Sequence, residues 1–504
     1  MELTGYNLSL EMLSQIVSGK EEISLHPDAL QSMKTARKIV LEALDGEELI
    51  YGLNTGVGKN KDTRIAKEDI GSFNQQLIYA HCVGIEPELS IEQVRASMLI
   101  RLNGVIKGYA GCQIEIAERL ADFLNLGLTP VVNGKGSVGE GDIGILSYIG
   151  LALMGEGLMD YQGQRYQASD LFQRFGLKPI NFQAKDGLSV ISSNAVSHAK
   201  LSLLVLQLHQ LVKWFDLAYS LSLEALNGNI TPLDEGVLAS KQLKGQEIST
   251  YHIREFLKGS YLLKKRSQTV QDPLSFRNVT LIHGAIYDSL AYVEQNLLAE
   301  LRASDDNPIV DQKTKRILST PNFETLGLSL SVEMLNVSLS HLSHASVQRM
   351  IKLGNPDFTR LPRFLKADSQ QYFGLQALQK TAATLDVEIH HACQTLSNIS
   401  YPLAGDMEDR QTNFPLILQQ TQEIVEKLYQ LLAIEILYAT QALSLRFSDK
   451  RPLGQRTHCL SQFVFNQYGI LQDHHQLYRI INDLSKQFSD ISVDYLLNKG
   501  DRND

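Results

Sequence analysis

Between Leu201 and Leu226 the chain runs without a glycine or proline and is rich in leucine, and a second such run extends from Leu416 to Leu443. Helix breakers are absent from both stretches and strong helix formers fill them, so each predicts one long helix of the kind that crosses the middle of a bundle. Apolar residues at three- and four-residue spacing, such as Val94, Met98, Leu99 and Leu102, carry a helical pattern through residues 68–127. The pattern returns from Leu375 to Leu396, and convincing strands are few. The expected fold is mostly α, a long central helix bundle with shorter helices around it. Residues 1–190 are read as an N-terminal domain that carries the loops, and residues 191–504 as the bundle with its C-terminal helices.

A chain of 504 residues can bury a large core. Its 47 basic and 56 acidic side chains leave a net charge of −9, which gives no support to a nucleic-acid footprint. The expected partners are a small molecule and further copies of the chain. Cys82, Cys112, Cys393 and Cys459 are widely spaced and lack a paired zinc pattern. No charged n-region with an apolar stretch opens the chain, and no apolar run reaches the ~18 residues of a membrane span. The expectation is a cytoplasmic protein without a membrane partner. His341 and His344 share a helix face but lack an acid to complete a ligand set, and His390-His391 and His474-His475 are adjacent pairs. Structural histidines are favoured, and no metal is expected.

Five glycines lie between Gly134 and Gly144, and the apolar run after Asp142 predicts a buried helix from Ile145 to Met159. Asp142 is placed to cap that helix or to hold the turn. A phosphate loop needs Gly-Lys-Ser/Thr at its end, whereas Lys135 precedes most of the glycines, so phosphate binding is disfavoured. A purely structural turn and a binding site both remain open for this stretch. A second loop, Tyr51-Gly52-Leu53-Asn54-Thr55-Gly56-Val57-Gly58, is followed by the polar run Lys59 to Asp62 and predicts a loop near solvent.

These motifs resemble the histidine, phenylalanine and tyrosine ammonia-lyases. Gly136-Ser137-Val138-Gly139, Gly141-Asp142 and Leu146-Ser147 are similar to the segment that makes the family's electrophile. There an Ala-Ser-Gly or Cys-Ser-Gly triad cyclises and dehydrates to a methylidene-imidazolone. Here only Glu140-Gly141 stands between Gly-Ser-Val-Gly and Asp142, one residue short, or Gly139-Glu140-Gly141 pairs with the triad and the preceding match breaks; either way no serine supplies the methylidene carbon, and no cofactor is expected. The Tyr51 loop resembles the family's lid, whose tyrosine takes the substrate proton, so Tyr51 inherits the role of base. A phenol ordinarily titrates near about 10, so such a base needs a site that stabilises phenolate. Ala80-His81-Cys82-Val83-Gly84, Arg101-Leu102-Asn103-Gly104 and Lys107-Gly108-Tyr109-Ala110-Gly111 match further segments, and His81 is carried over as a substrate contact.

Asp186-Gly187-Leu188-Ser189-Val190-Ile191-Ser192-Ser193-Asn194-Ala195-Val196 resembles a segment in which the family's active-site Asn falls on Ser192. Asn194 lies two residues on and substitutes only if the loop shifts. Gln271-Asp272-Pro273-Leu274-Ser275-Phe276-Arg277 keeps the family's arginine at Arg277, suited to a two-pronged carboxylate contact. Leu274 replaces its tyrosine. Asp306-Asn307-Pro308 is a further match, with Arg302 in place of the family's usual Asn. Asn322-Phe323-Glu324 puts Glu324 where the family has His, a carboxylate suited to recognising an amine or to acid–base work. Leu403-Ala404-Gly405-Asp406-Met407-Glu408-Asp409-Arg410 aligns Glu408 with the carboxylate near the substrate amine.

The resemblance implies the ammonia-lyase and fumarase-like bundle and a homotetramer whose composite sites draw on three subunits. The family's departures cluster at Glu140-Gly141, Ser192 and Leu274, which disfavours ordinary ammonia elimination. The expected activity is a carbon–nitrogen or related lyase, or an aminomutase-like reaction, on an amino acid or related carboxylate. Tyr51 and Glu408 are the catalytic residues, and no methylidene-imidazolone takes part. His81, Ser192, Asn194, Leu274, Arg277 and Glu324 are the substrate-side candidates. The alternative is an inactive homologue that binds a ligand or a partner protein.

Overall fold

A computed structural model describes residues 1–264, 269–368, 372–446 and 451–500. Both breaker-free runs form single helices, Ala195–Leu226 and Phe414–Arg446, joined by two further long ones, Val279–Leu301 and Leu326–Leu353. The helix Ala195–Leu226 is apolar on nearly every side and is correspondingly buried. Several of its polar residues satisfy themselves locally. Ser202 Oγ donates to His198 O at 2.7 Å and Ser220 Oγ to Asp216 O at 2.7 Å. Phe414–Arg446 is long and apolar enough to cross a membrane, but 89% of its apolar window is buried inside the protein, as in a core helix.

The chain forms two compact units, each built from three stretches. The first contains Met1–Leu204, Glu294–Leu330 and Thr395–Leu418, and the second Val205–Val293, Ser331–Gln394 and Gln419–Asp504. In the first unit, the helical pattern over residues 68–127 resolves into the helices Ile70–His81, Ile91–Val105 and Ile114–Leu126. Ser90 starts the second of these with a capping box, its side chain accepting from Gln93 N while Gln93 reaches back to Ser90 N. Strands are short, the useful one being Ile85–Glu88, which pairs antiparallel with Asn133–Lys135 and fixes the start of the glycine-rich turn. The helix expected from Ile145 to Met159 is shorter, Ile143–Leu153. Gly155 and Gly157 at φ 80° and 78° end it, and Met159 falls in the strand Leu158–Tyr161.

In the second unit, the helical stretch from Leu375 to Leu396 is the helix Leu378–Ala392. Three fully buried acids lie in that unit's core, Asp216, Glu224 and Glu435. Asp216 accepts from Ser249 Oγ at 2.7 Å, Tyr287 Oη at 2.8 Å and His283 Nδ1 at 2.8 Å, tying the helices Ala195–Leu226, Lys244–Phe256 and Val279–Leu301 together. Against the cost of burial, His252, 3.1 Å from Asp216 Oδ2, and His283 hold its carboxyl below the usual range. His344 Nδ1 meets Asp386 at 3.1 Å, and among the described residues no group of His, Cys, Asp and Glu is arranged to hold a metal.

Candidate functional site

Gly136, Gly139 and Gly141 take φ values of 132°, 94° and 94°, a region that only glycine enters cheaply. Gly139 is also short of space, because a Cβ there would collide with Thr412 Oγ1 and come within 2.9 Å of Phe414 N. The turn is pinned from several sides. Gly139 O accepts from Thr325 Oγ1 at 3.2 Å and Thr412 Oγ1 at 3.1 Å, Gly139 N donates to Ser137 Oγ at 3.2 Å, and Asn413 N donates to Val138 O at 2.8 Å. Asp142 holds the turn rather than capping the helix that follows. Its buried carboxylate makes no cap bond and accepts instead from Ser197 N at 2.8 Å and Ser197 Oγ at 2.9 Å.

Asn194, not Ser192, reaches this turn. Its Oδ1 accepts from Gly141 N at 3.0 Å and its Nδ2 donates to Phe323 O at 2.8 Å, so one amide joins the glycine turn to the segment before Glu324. The backbone is bent there by Asp305, whose Oδ2 accepts from Asn194 N at 2.6 Å and Ser193 Oγ at 2.8 Å. Ser192 Oγ turns to the other side and accepts from Asn307 N at 3.3 Å. Below, the buried Arg101 donates to Asp306 at 2.6 Å and to Ser189 O at 2.9 Å, clamping the helix Asp186–Ile191 that delivers Ser192 and Asn194.

Glu140 is half-buried at the tip of the turn, and its Oε1 is buried without a hydrogen-bond partner. Burial, reinforced by the nearby Glu324 and Glu408 charges, pushes its carboxyl up to about 8 against the opposing pull of Arg410 and a Thr412 backbone N–H. Glu324 is better satisfied, with Oε1 accepting from Leu326 N at 2.8 Å and Oε2 from Arg410 Nε at 3.1 Å. Glu408 is exposed on a hairpin in which Leu403 N donates to Glu408 O at 2.8 Å and Glu408 N to Leu403 O at 3.1 Å.

Tyr51 lies half-buried at the head of its loop, and its hydroxyl accepts from Gly58 N at 3.2 Å. Asn54 folds that loop, accepting from Ile50 N at 2.8 Å and donating to Glu48 O at 2.8 Å. Gly52 lies against Leu188 of the helix Asp186–Ile191, while Lys59 touches Gly405 in the Glu408 hairpin. The Tyr51 loop therefore contacts both the helix that precedes Asn194 and the loop that carries Glu408. His81 ends its helix with Nδ1 2.8 Å from Leu77 O, and its carbonyl faces Gly144 at the start of the helix after the turn.

All these residues belong to the first unit, whereas Leu274 and Arg277 belong to the second. There they occupy a four-residue helix, Leu274–Arg277, with Leu274 57% exposed, Arg277 half-buried and its Nη1 on Gln271 Oε1. Thr325, Thr412, Ser197 and Asp305 went unnoticed in the sequence. Nothing local marks them, because each acts on a partner far away along the chain.

Within the first unit the arrangement joins a loop phenol, a fixed turn and a carboxyl with one oxygen unclaimed, which suits a cation beside Glu140 and a base at Tyr51. The model of the aromatic amino acid lyase family matches residues 8–464. Histidine ammonia-lyase of Caldanaerobacter subterraneus is 31% identical over 482 residues, covering 95% of this chain and 94% of that protein. Among solved structures, the ergothioneine-degrading enzyme ergothionase of Treponema denticola, in complex with desmethyl-ergothioneine sulfonic acid, superposes with a TM-score of 0.95 at 35% identity over 99% of both chains. The tyrosine aminomutase of Streptomyces globisporus shares the fold, with a TM-score of 0.92 at 22% identity over 99% of this chain and 98% of that one.

Proposed function

The chain belongs to the aromatic amino acid lyase family, and from that premise we propose that it is a carbon–nitrogen lyase that eliminates a fully substituted amine from an amino-acid betaine without the family's methylidene-imidazolone. The observation that carries this reading is the carboxyl of Glu140, which lies in the segment resembling the family's cofactor-forming one and has Oε1 buried and unpaired. The residues present do not fit the internal electrophile. Its formation consumes a serine hydroxyl, and Gly139-Glu140-Gly141 contains no side chain that can dehydrate to a methylidene. The backbone groups of the turn are engaged as well, Gly141 N with Asn194 and Gly139 O with two threonine hydroxyls.

A quaternary nitrogen removes the need for that electrophile. It has no proton to lose, so it remains a cationic leaving group at any pH. Tyr51 Oη, acting as the base, takes the proton from the β-carbon, and the freed pair forms the α,β double bond. The C–N bond breaks, the amine departs with its electron pair as a neutral trialkylamine, and the phenol returns its proton to solvent. Glu140 with Glu324 and Glu408 supplies negative charge around the leaving nitrogen, and the substrate carboxylate is held by Arg277 of another subunit of the proposed homotetramer. Ergothioneine, the trimethylammonium betaine of a thiolated histidine, is the first candidate by likeness to the Treponema enzyme. The same reading expects a homotetramer, which light scattering checks.

The test mixes purified protein with ergothioneine, and separately with histidine, in deuterated water and follows amine release, unsaturated acid and β-hydrogen exchange. Trimethylamine and an unsaturated acid are expected from the betaine and no ammonia from histidine. In Tyr51→Phe the rate is expected to fall by roughly 10²–10⁴-fold, the usual worth of a positioned base. Equal turnover of histidine sinks the proposal. Silence with both substrates, exchange included, moves the protein to the class of inactive, ligand-binding homologues.

A further inference from the structure

In the second unit the segment that ends on Arg277 rests on buried polar groups that touch no surface. Glu435 and Arg349 form a two-pronged pair, Nε to Oε1 at 2.6 Å and Nη2 to Oε2 at 2.8 Å, both side chains wholly buried. Ser222 Oγ at 2.9 Å and Ser346 Oγ at 2.6 Å complete the carboxylate. The guanidinium lies 5.6 Å from the centre of the Tyr219 ring, and its remaining Nη1 points at Ser275 O at 3.5 Å. Tyr219 Oη donates to Phe276 O at 3.0 Å. The two carbonyls just before Arg277 are thus each approached by a donor from the core.

The rest of the segment is held too. Asp272 Oδ2 accepts from Asn229 N at 2.6 Å, and the ring of Phe276 is fully buried, 6.2 Å from that of Tyr219. In a helical turn, positions three apart share a face. With Phe276 pinned inward, Leu274 and Arg277 are turned outward together, Leu274 exposed and Arg277 half-buried. A buried ion pair is seldom retained for stability alone, since apolar residues of the same shape do as well. What an apolar replacement lacks is a donor aimed at a chosen backbone carbonyl.

We propose that Tyr219, with the Arg349–Glu435 pair behind it, is a positioning residue for Arg277, fixing the turn Leu274–Arg277 so that the guanidinium presents itself to a substrate carboxylate. This rests on the reading of Arg277 as the carboxylate holder. Tyr219→Phe is the mild variant, since it removes one hydroxyl and keeps the ring; Arg349→Lys removes the two-pronged geometry and keeps the charge. Two measurements on the full-length protein decide. Hydrogen exchange by mass spectrometry follows the peptide spanning residues 272–279 against one spanning residues 134–144. Binding is compared for 3-(imidazol-4-yl)propanoate and its propanamide, with Arg277→Ala as reference.

In Tyr219→Phe, exchange over residues 272–279 accelerates while residues 134–144 are unchanged, and preference for the acid over the amide drops about tenfold, the scale of one hydrogen bond. Arg349→Lys shifts both readouts the same way. A merely structural tyrosine would weaken acid and amide alike. Unchanged exchange over residues 272–279, or an unchanged preference in Tyr219→Phe where Arg277→Ala loses it, overturns the positioning role. A preference kept in Arg277→Ala overturns instead the reading of Arg277 itself.

Discussion

Glu435, in the second unit, has both carboxylate oxygens supplied with donors, two from Arg349 and one each from Ser222 and Ser346, whereas Glu140, in the first, keeps Oε1 buried with none. Both side chains are withdrawn from water, Glu435 completely and Glu140 in part. A carboxylate whose partners come from the fold is finished when folding ends. One left short of partners is an open valence, costly to the folded state and available to a ligand. The contrast separates framework from receptor more sharply than burial or charge alone.

The largest expected effect breaks the framework side. Glu435→Ala strands the Arg349 charge in the core and is expected to cost about 3–5 kcal/mol in urea unfolding. A loss under about 1 kcal/mol would mean that the pair is not the settled element described here. Glu140→Gln is expected to do the opposite. A folded-state value near 8 lies above the ordinary 4.5, so the native state holds more protons than the unfolded chain between those values, and Glu140 costs stability increasingly as pH rises through that window. Gln removes the cost, giving a gain of at most about 1 kcal/mol at pH 8 after solvent screening, together with weaker binding of a quaternary ammonium. For the unsubstituted protein, that binding should strengthen as pH rises toward 8 and release a proton, which calorimetry in buffers of different ionisation enthalpy reads directly.

Glu224 sharpens the comparison as an intermediate case. It accepts from Ser260 Oγ at 2.5 Å and Gly454 N at 2.8 Å, yet Oε2 lacks a partner, and burial pushes its carboxyl up to about 7. By the same sign, its share of stability is lost as pH rises from about 4.5 to 7 and changes no further above that. Glu224→Gln is therefore expected to flatten the pH dependence of the melting temperature there and to add about 1–2 kcal/mol at pH 8. A variant less stable than the parent at pH 8 would show the carboxylate to be needed in its charged form.

The helices were legible in the sequence because their information is local. The absence of breakers from Leu201 to Leu226 and the spacing of Val94, Met98 and Leu102 each report on their own surroundings. The apolar pattern runs on past Leu153 to Met159, but the positive φ of Gly155 and Gly157 ends the helix first. The candidate site was legible only as motifs in order. Whether Asn194 or Ser192 faces the glycine turn depends on Asp305, and what holds Gly139 depends on Thr325 and Thr412; these couplings join distant stretches and leave no periodic trace. The same holds for the division into two units, each drawn from three separate stretches.

The crowding at Gly139 bears on engineering. A methyl group at residue 139 would collide with Thr412 Oγ1 and come within 2.9 Å of Phe414 N and 3.2 Å of Asn413 N, so Gly139→Ala has to move main chain, not merely a side chain. Any attempt to place a side chain at residue 139 of this scaffold has to begin at residues 412–414 before it touches the turn.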